Sequence, residues 1–139
     1  MTTTTLTAPV ADRTEIAALI LRVTNGIFFV MHAWLKIAIF TPAGTASFFE
    51  SLGLPGFLAY VVIAAELLGG LALIAGFKTR LVALALVPVL LGAIVTAHWN
   101  AGFFFSNEGG GWEYPAYWAV ALIVQFLIGD GAYALGKRA

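Results

Sequence analysis

Four long apolar stretches constrain this chain more than any other feature of its sequence. They run over residues 16–40, 57–76, 81–98 and 115–134. Each is close to the ~20 residues that an α-helix needs to cross ~30 Å of hydrocarbon. Because an open strand in lipid leaves backbone hydrogen-bonding groups unpaired, each stretch must be helical. The sequence therefore predicts an all-α fold: an integral membrane bundle of four transmembrane helices in one domain, residues 16–139.

The composition excludes the main soluble alternatives. Charged residues make up 10% of the 139 residues and hydrophobic residues 61%, whereas a soluble domain carries about 25% charged residues. The chain has no Cys, which excludes disulfides, a thiolate nucleophile and cysteine-held iron–sulfur or zinc sites. Seven Lys and Arg balance seven Asp and Glu, so no basic surface indicates a nucleic-acid partner. The expected partner is the lipid bilayer.

The basic residues predict how the bundle is oriented. Residues 1–15 are polar and Thr-rich, without the basic start of a signal peptide, and are expected to form a short flexible tail. The basic residues fall at three places that four spans bring to one side: Arg13 and Arg22, Lys78 and Arg80, and Lys137 and Arg138. The loops at 41–56 and 99–114 contain no Lys or Arg. The positive-inside rule then predicts that both termini are cytoplasmic, with Arg22 as an interfacial charge whose long stem reaches water.

The first outer loop carries the signals of a short helix. Thr41 can cap a helix whose first residue is Pro42, and Gly53 can close it before Pro55. The segment is too short to span a membrane, and its apolar side chains are Phe48, Phe49 and Leu52. We expect an interfacial helix that lies across the top of the bundle.

A polar stripe runs along the first predicted helix. Asn25, His32 and Lys36 recur at helical spacing and fall on one face. An ionisable side chain inside a span costs at least ~2.5–3.5 kcal/mol on insertion scales, so this face must contact protein or water. Packing hydrogen bonds inside the bundle and a functional site are both compatible with the pattern.

Glu66 lies near the middle of the second predicted helix. At ~1.5 Å per residue, Glu66 and His32 come to similar depths below the outer ends of their helices, and Lys36 can reach inward along its stem. We therefore expect Glu66 to pair with His32, Lys36 or both, forming a buried polar cluster that also contains Asn25. The alternative is a protonated Glu66 that bonds to a backbone carbonyl.

Polar and aromatic residues also gather around the second outer loop. They are His98, Trp99, Asn100, Trp112, Glu113 and Tyr114, which we take as candidate ligand-binding residues at an outer mouth. A quinone site needs an apolar slot, aromatic walls and one or two polar groups, and these residues can supply them. A haem held by His32 and His98 is disfavoured, because their estimated depths differ by ~9 Å. No paired spacing of ligands predicts a metal site.

The order of these features resembles the DoxX family of small bacterial membrane proteins. The matching segments are MHAWLK at 31–36, residues 48–55, AELLGG at 65–70, GFKTR at 76–80 and GWEYP at 111–115. The resemblance implies a four-helix protein of the bacterial inner membrane. Relatives are linked to quinone-reducing sulfur oxidation with a second chain, or to complexes that protect against oxidative stress beside soluble redox enzymes. Distant eukaryotic relatives assist receptor assembly without redox chemistry.

One leading hypothesis about function and two alternatives follow. The leading one is a membrane subunit of a redox-associated complex, linked to quinones or to oxidative stress. Because no redox centre is evident in the sequence, such a subunit depends on a membrane or soluble redox partner, and whether the chain is itself an enzyme stays open. The alternatives are a non-catalytic assembly or interaction protein, and a small-molecule or ion carrier, whose conduit would be narrow without homo-oligomerisation.

Overall fold

The computed structural model describes the backbone of residues 11–137 and the side chains of residues 11–136. Residues 1–10 of the predicted tail, the Lys137 side chain and Arg138 lie outside that description. The described part is all-α, without strands, as predicted. Its α-helices are α1 (Arg13–Trp34), α2 (Pro42–Ser51), α3 (Phe57–Ala75), α4 (Thr79–Ala93) and α5 (Glu113–Ile128).

Helix α1 begins earlier than the sequence pattern indicated. Asp12 is its N-cap, and its carboxylate accepts a hydrogen bond from the backbone N–H of Glu15 at 2.8 Å. This bond satisfies one of the free N–H groups of the first turn. Residues 13–15, which were assigned to the tail, are therefore helical.

Two of the long helices end in a wider, π-helical turn. Helix α1 continues as a π-helical segment over Leu35–Ile39, and α4 continues as one over Ile94–His98. A short 3₁₀ turn, Trp99–Ala101, follows the second segment. Such π-helical turns occur frequently at functional sites, and these two carry Lys36 and His98.

The structure contains three helical stretches long and apolar enough to cross a membrane among the described residues. They are Arg13–Ile39, Phe57–Ala75 and Thr79–Ala101. Helix α5 is also apolar but has only 16 residues, a rise of ~24 Å. The predicted fourth span, 115–134, was too long, because the chain leaves the helix at Gly129, where φ is 86°.

The predicted helix in the first long loop is present as α2. Thr41 caps it through a hydrogen bond from the backbone N–H of Gly44 to Thr41 Oγ1 at 3.1 Å, and Pro42 is its first residue. Its location at a membrane interface stays a prediction.

Close helix packing fixes the position of the functional side chains. Helix α1 lies against α3 at Gly26 and Gly70, where a Cβ added to either glycine would come within 2.8 Å of the other's carbonyl oxygen. Only glycine permits this approach. On the other side of the bundle α4 packs on α5, and the shared core contains Phe29, Leu73, Leu86, Trp118 and Leu122.

Arg22 closes one end of the bundle, which we call the termini end because Glu15 and Ala132 meet there. Its guanidinium donates to the carbonyl oxygens of Leu73, Ile74, Asp130 and Ala132 at 2.8–3.0 Å. Only 1% of Arg22 is exposed. The interpretation of Arg22 as an interfacial charge was therefore wrong, since it binds free carbonyls at the end of α3 and in the segment after α5.

Candidate functional site

An ion pair between Lys36 and Glu66 is the charged centre of the site. Lys36 Nζ lies 2.8 Å from Glu66 Oε2 and 3.1 Å from Oε1. Glu66 comes from α3 and is 4% exposed, while Lys36 comes from the first π-helical segment. Because α1 and α3 approach each other at their glycines, the two side chains meet across a short distance. Of the partners considered for Glu66, Lys36 therefore makes the direct contact.

His32 pairs with a tyrosine rather than with Glu66. Its Nε2 lies 2.6 Å from the hydroxyl of Tyr114, and its Nδ1 lies 2.9 Å from the carbonyl oxygen of Phe28 one turn earlier. A ring contact with Trp118, with centroids 5.0 Å apart, holds the imidazole from a further side. Both nitrogens of His32 are hydrogen-bonded, so neither is free to ligate a haem iron in this conformation.

His98 ends the second π-helical segment and holds the following loop against it. Its Nδ1 lies 2.6 Å from the carbonyl oxygen of Gly110. The loop folds back on itself, with the N–H of Trp112 donating to the carbonyl of Gly102 at 2.9 Å. Phe105 of the same loop contacts Tyr114 edge to face, with centroids 5.3 Å apart.

These polar groups line one cavity of about 1240 Å³. His32, Lys36, Glu66, His98 and Tyr114 all contribute to its wall. The wall is otherwise mostly apolar and aromatic, and includes Phe28, Phe40, Phe48, Phe49, Phe105 and Trp118. Helix α2 supplies two of these rings. A large apolar space with a few convergent polar side chains is the usual form of a small-molecule site.

Several predicted site residues lie elsewhere. Asn25 is 3% exposed and lines a separate groove of about 850 Å³ together with Glu113. Trp99 and Trp112 stack on each other with centroids 6.0 Å apart and are not part of the cavity wall. Asn100 is exposed and also lies off the wall. The predicted outer mouth thus divides, with only His98 and Tyr114 on the cavity.

Some polar and aromatic residues of the cavity wall were not singled out from the sequence as site residues. Thr45, Thr96 and Trp118 lie on the wall. Trp118 follows Tyr114 by one helical turn, a spacing that places both on one face of α5. Thr96 lies two residues before His98, where the π-helical turn brings it to the same space. Thr45 lies one turn after Thr41, the N-cap of α2, and no sequence pattern marked it as a site residue.

The described residues hold no group of three or more His, Asp or Glu side chains placed to bind a metal ion. The pair of opposite charges on the cavity wall, Lys36 with Glu66, is neutral overall. The wall offers a ligand hydrogen-bonding groups and aromatic rings.

The chain has significant relatives in known bacterial proteins. The profile of the DoxX family matches residues 17–99. The chain is 43% identical over 94 residues to the Bacillus subtilis (strain 168) protein named "Putative oxidoreductase CatD", across 68% of this chain and 69% of that protein. It is 40% identical over 70 residues to "Inner membrane protein YqjF" of Escherichia coli (strain K12), a match that spans 50% of this chain and 52% of that protein. No solved structure matches the chain significantly.

Proposed function

Because this chain belongs to the DoxX family of membrane proteins, we propose that it is the membrane subunit of an oxidoreductase complex and binds a quinone in the cavity. The observation that supports the proposal most strongly is the cavity itself, in which polar side chains from α1, α3, α5 and the π-helical segment after α4 converge among aromatic rings. Its volume of about 1240 Å³ is large enough for a substituted ring and part of its tail.

The polar and aromatic groups of the wall are placed so that they can bind the oxygens and the ring face of a quinone. The ammonium of Lys36 can donate to one oxygen while the rings of Tyr114 and Trp118, stacked with centroids 5.9 Å apart, contact the ring face. A partner protein supplies the redox centre that this chain, without Cys, does not carry. The name of the Bacillus relative, an oxidoreductase, supports the assignment of the complex.

The proposal also includes a membrane topology. Four spans, with α5 as the shortest, place both termini in the cytoplasm and α2 and the cavity toward the outer side. The described chain ends meet at one end of the bundle, near Glu15 and Ala132, which is consistent with an even number of spans. Reactivity of single cysteines introduced at exposed Ser51 and Arg13 toward a membrane-impermeant thiol reagent tests the orientation.

Fluorescence of Trp118 tests quinone binding. With Trp34, Trp99 and Trp112 replaced by Phe, the remaining indole lies on the cavity wall. Titration of the purified protein with decylubiquinone should quench it saturably, and Lys36→Met, which removes the donor to the quinone oxygen, should raise the concentration needed for saturation. Asn100→Ala is the matched control, because Asn100 is exposed and off the wall.

The same experiment separates the alternatives. Quenching that rises linearly, as for a free tryptophan analogue dissolved in the same micelles, would contradict quinone binding. Linear quenching together with stable co-purification of another membrane chain would favour an assembly protein. Ion flux into liposomes that Glu66→Gln abolishes would favour a carrier.

A further inference from the structure

The hydroxyl groups on the cavity wall donate their hydrogens to the protein itself. Thr45 Oγ1 lies 2.8 Å from the carbonyl oxygen of Thr41, and Thr96 Oγ1 lies 2.7 Å from that of Gly92. A carbonyl oxygen can only accept, so each hydroxyl is the donor. What these two groups can offer a ligand is a lone pair.

The two imidazoles of the wall are fixed in the same tautomer. Nδ1 of His32 and Nδ1 of His98 each contact a backbone carbonyl oxygen, of Phe28 and of Gly110. Since those oxygens accept, both Nδ1 atoms carry hydrogen, and in the neutral ring Nε2 is then an acceptor.

The tautomer of His32 fixes the direction of the hydrogen bond from Tyr114. Because Nε2 of a neutral His32 accepts, the Tyr114 hydroxyl must donate its hydrogen across the 2.6 Å contact. The phenol oxygen is left with lone pairs only. His98 Nε2 makes no hydrogen bond with the described residues, so it is a second free acceptor.

The cavity wall has fewer free side-chain hydrogen-bond donors than acceptors. Lys36 uses two of its three N–H groups on Glu66, which leaves one. The indole N–H of Trp118 is covered by surrounding atoms and is not accessible to a ligand. The wall therefore offers one donor against the acceptors of Tyr114, His98, both threonines and Glu66.

We infer that the cavity selects the reduced, diphenol form of its quinone over the oxidised form; this rests on the proposed function. A diphenol carries two O–H donors, whereas a quinone carries acceptors only. Lys36 can bind an oxygen of either form, so it does not discriminate. The discriminating groups are Tyr114, held as an acceptor by His32, and His98. Tyr114 is thus a specificity-determining residue, and His32 is a positioning residue that acts through it.

Paired binding measurements test this inference. Dissociation constants of decylubiquinol and decylubiquinone are measured by isothermal titration calorimetry under argon, in identical micelles and with titration of empty micelles subtracted. The wild type should bind the diphenol about tenfold more tightly, equivalent to about 1.4 kcal/mol and within the usual net value of one hydrogen bond.

Two substitutions should shift the preference in different ways. Tyr114→Phe should weaken diphenol binding about threefold, because His98 remains as the second acceptor, and leave quinone binding unchanged. His32→Asn keeps a donor for the Phe28 carbonyl and frees the Tyr114 hydroxyl, which should tighten binding of the quinone. Tyr117→Phe is the matched control, since Tyr117 lies on the same helix, is 78% exposed and is off the cavity wall.

The outcomes distinguish this inference from the proposed function. Saturable binding in which the wild type favours the quinone or neither form, or in which Tyr114→Phe keeps the full tenfold preference, would overturn the inference and leave the proposed function standing. If neither form binds saturably, both fail. Should Tyr114→Phe not fold, as judged by circular dichroism and size-exclusion elution, His98→Leu carries the test, because it removes the second acceptor without adding a polar group and should lower the preference for the diphenol.

Discussion

The bundle buries charge at two places, and it does so in opposite ways. At the termini end, Arg22 is 1% exposed and surrounded by backbone carbonyl oxygens that accept its hydrogens. Toward the other end, Lys36 and Glu66, the latter from the middle of α3, bind each other side chain to side chain, on the wall of a cavity of about 1240 Å³. The first charge is enclosed by its own chain, while the second faces space that a ligand can enter.

The difference shows how to separate a structural charge from a functional one in a membrane bundle. The hydrogen-bonding groups of a structural charge are all bound to the backbone. They hold helix ends in place, and none is left to bind a ligand. A functional charge keeps a hydrogen-bonding group free beside a space that a ligand can enter. The position of a charged residue within an apolar stretch does not tell a structural charge from a functional one. The atoms that bind the charged group do.

The largest expected effect is on Arg22. Arg22→Ala leaves the carbonyls of Leu73, Ile74, Asp130 and Ala132 without their donor, and we expect the free energy of unfolding to fall by about 3–5 kcal/mol. Denaturant unfolding in detergent, followed by circular dichroism, measures it. Arg13→Ala is the control, because Arg13 is exposed on the same helix. A loss below about 1 kcal/mol would contradict a structural role for Arg22.

The ion pair should be less costly to break. Glu66→Ala strands the Lys36 ammonium, but the Lys36 side chain is 17% exposed, so we expect a loss of only about 1–3 kcal/mol. The double variant Glu66→Leu and Lys36→Met should recover most of that loss, since apolar replacement of a buried pair is often neutral. The same unfolding assay applies. Equal losses for Glu66→Ala and Arg22→Ala would remove the distinction between the two places.

The smallest effect on stability is expected for Gly92→Leu, a substitution that should nevertheless abolish quinone binding. A Cβ added at Gly92, on the cavity wall, meets no atom within 4 Å. Gly92→Leu should therefore raise the free energy of unfolding by about 0.5–1 kcal/mol through helix propensity, while its side chain fills ligand space and abolishes saturable quinone quenching. Ala85→Leu, exposed on the same helix and off the wall, should leave binding intact. Retained binding in Gly92→Leu would place the ligand elsewhere.

The sequence supported the architecture well where the signal was local. Apolar length predicted the long helices, and the Thr41–Pro42 pair predicted α2. The end of α5 was missed although Gly129 and Gly131 are visible helix breakers, because the apolar character of 115–134 was given more weight than its glycines.

The site was harder to predict because its geometry depends on rotations between helices. Tyr114 meets His32 from 82 positions further along the chain, and nothing local sets the rotation of α5 against α1. The π-helical segments also change the spacing of side chains where Lys36 and His98 lie, so a regular 3.6-residue period cannot place them. Glu66 could be found from its burial cost alone, but its choice of Lys36 required the close approach at Gly26 and Gly70.

Thr45 has one more consequence for the site. Its hydroxyl contacts the backbone carbonyl of Lys36 at 3.3 Å as well as that of Thr41, so α2 is tethered to the wide turn that carries the ammonium. The same short helix presents Phe48 and Phe49 to the cavity. A ligand that displaces these rings would therefore also displace the backbone of Lys36. Ligand binding and the position of the Lys36 ammonium are thus coupled through α2.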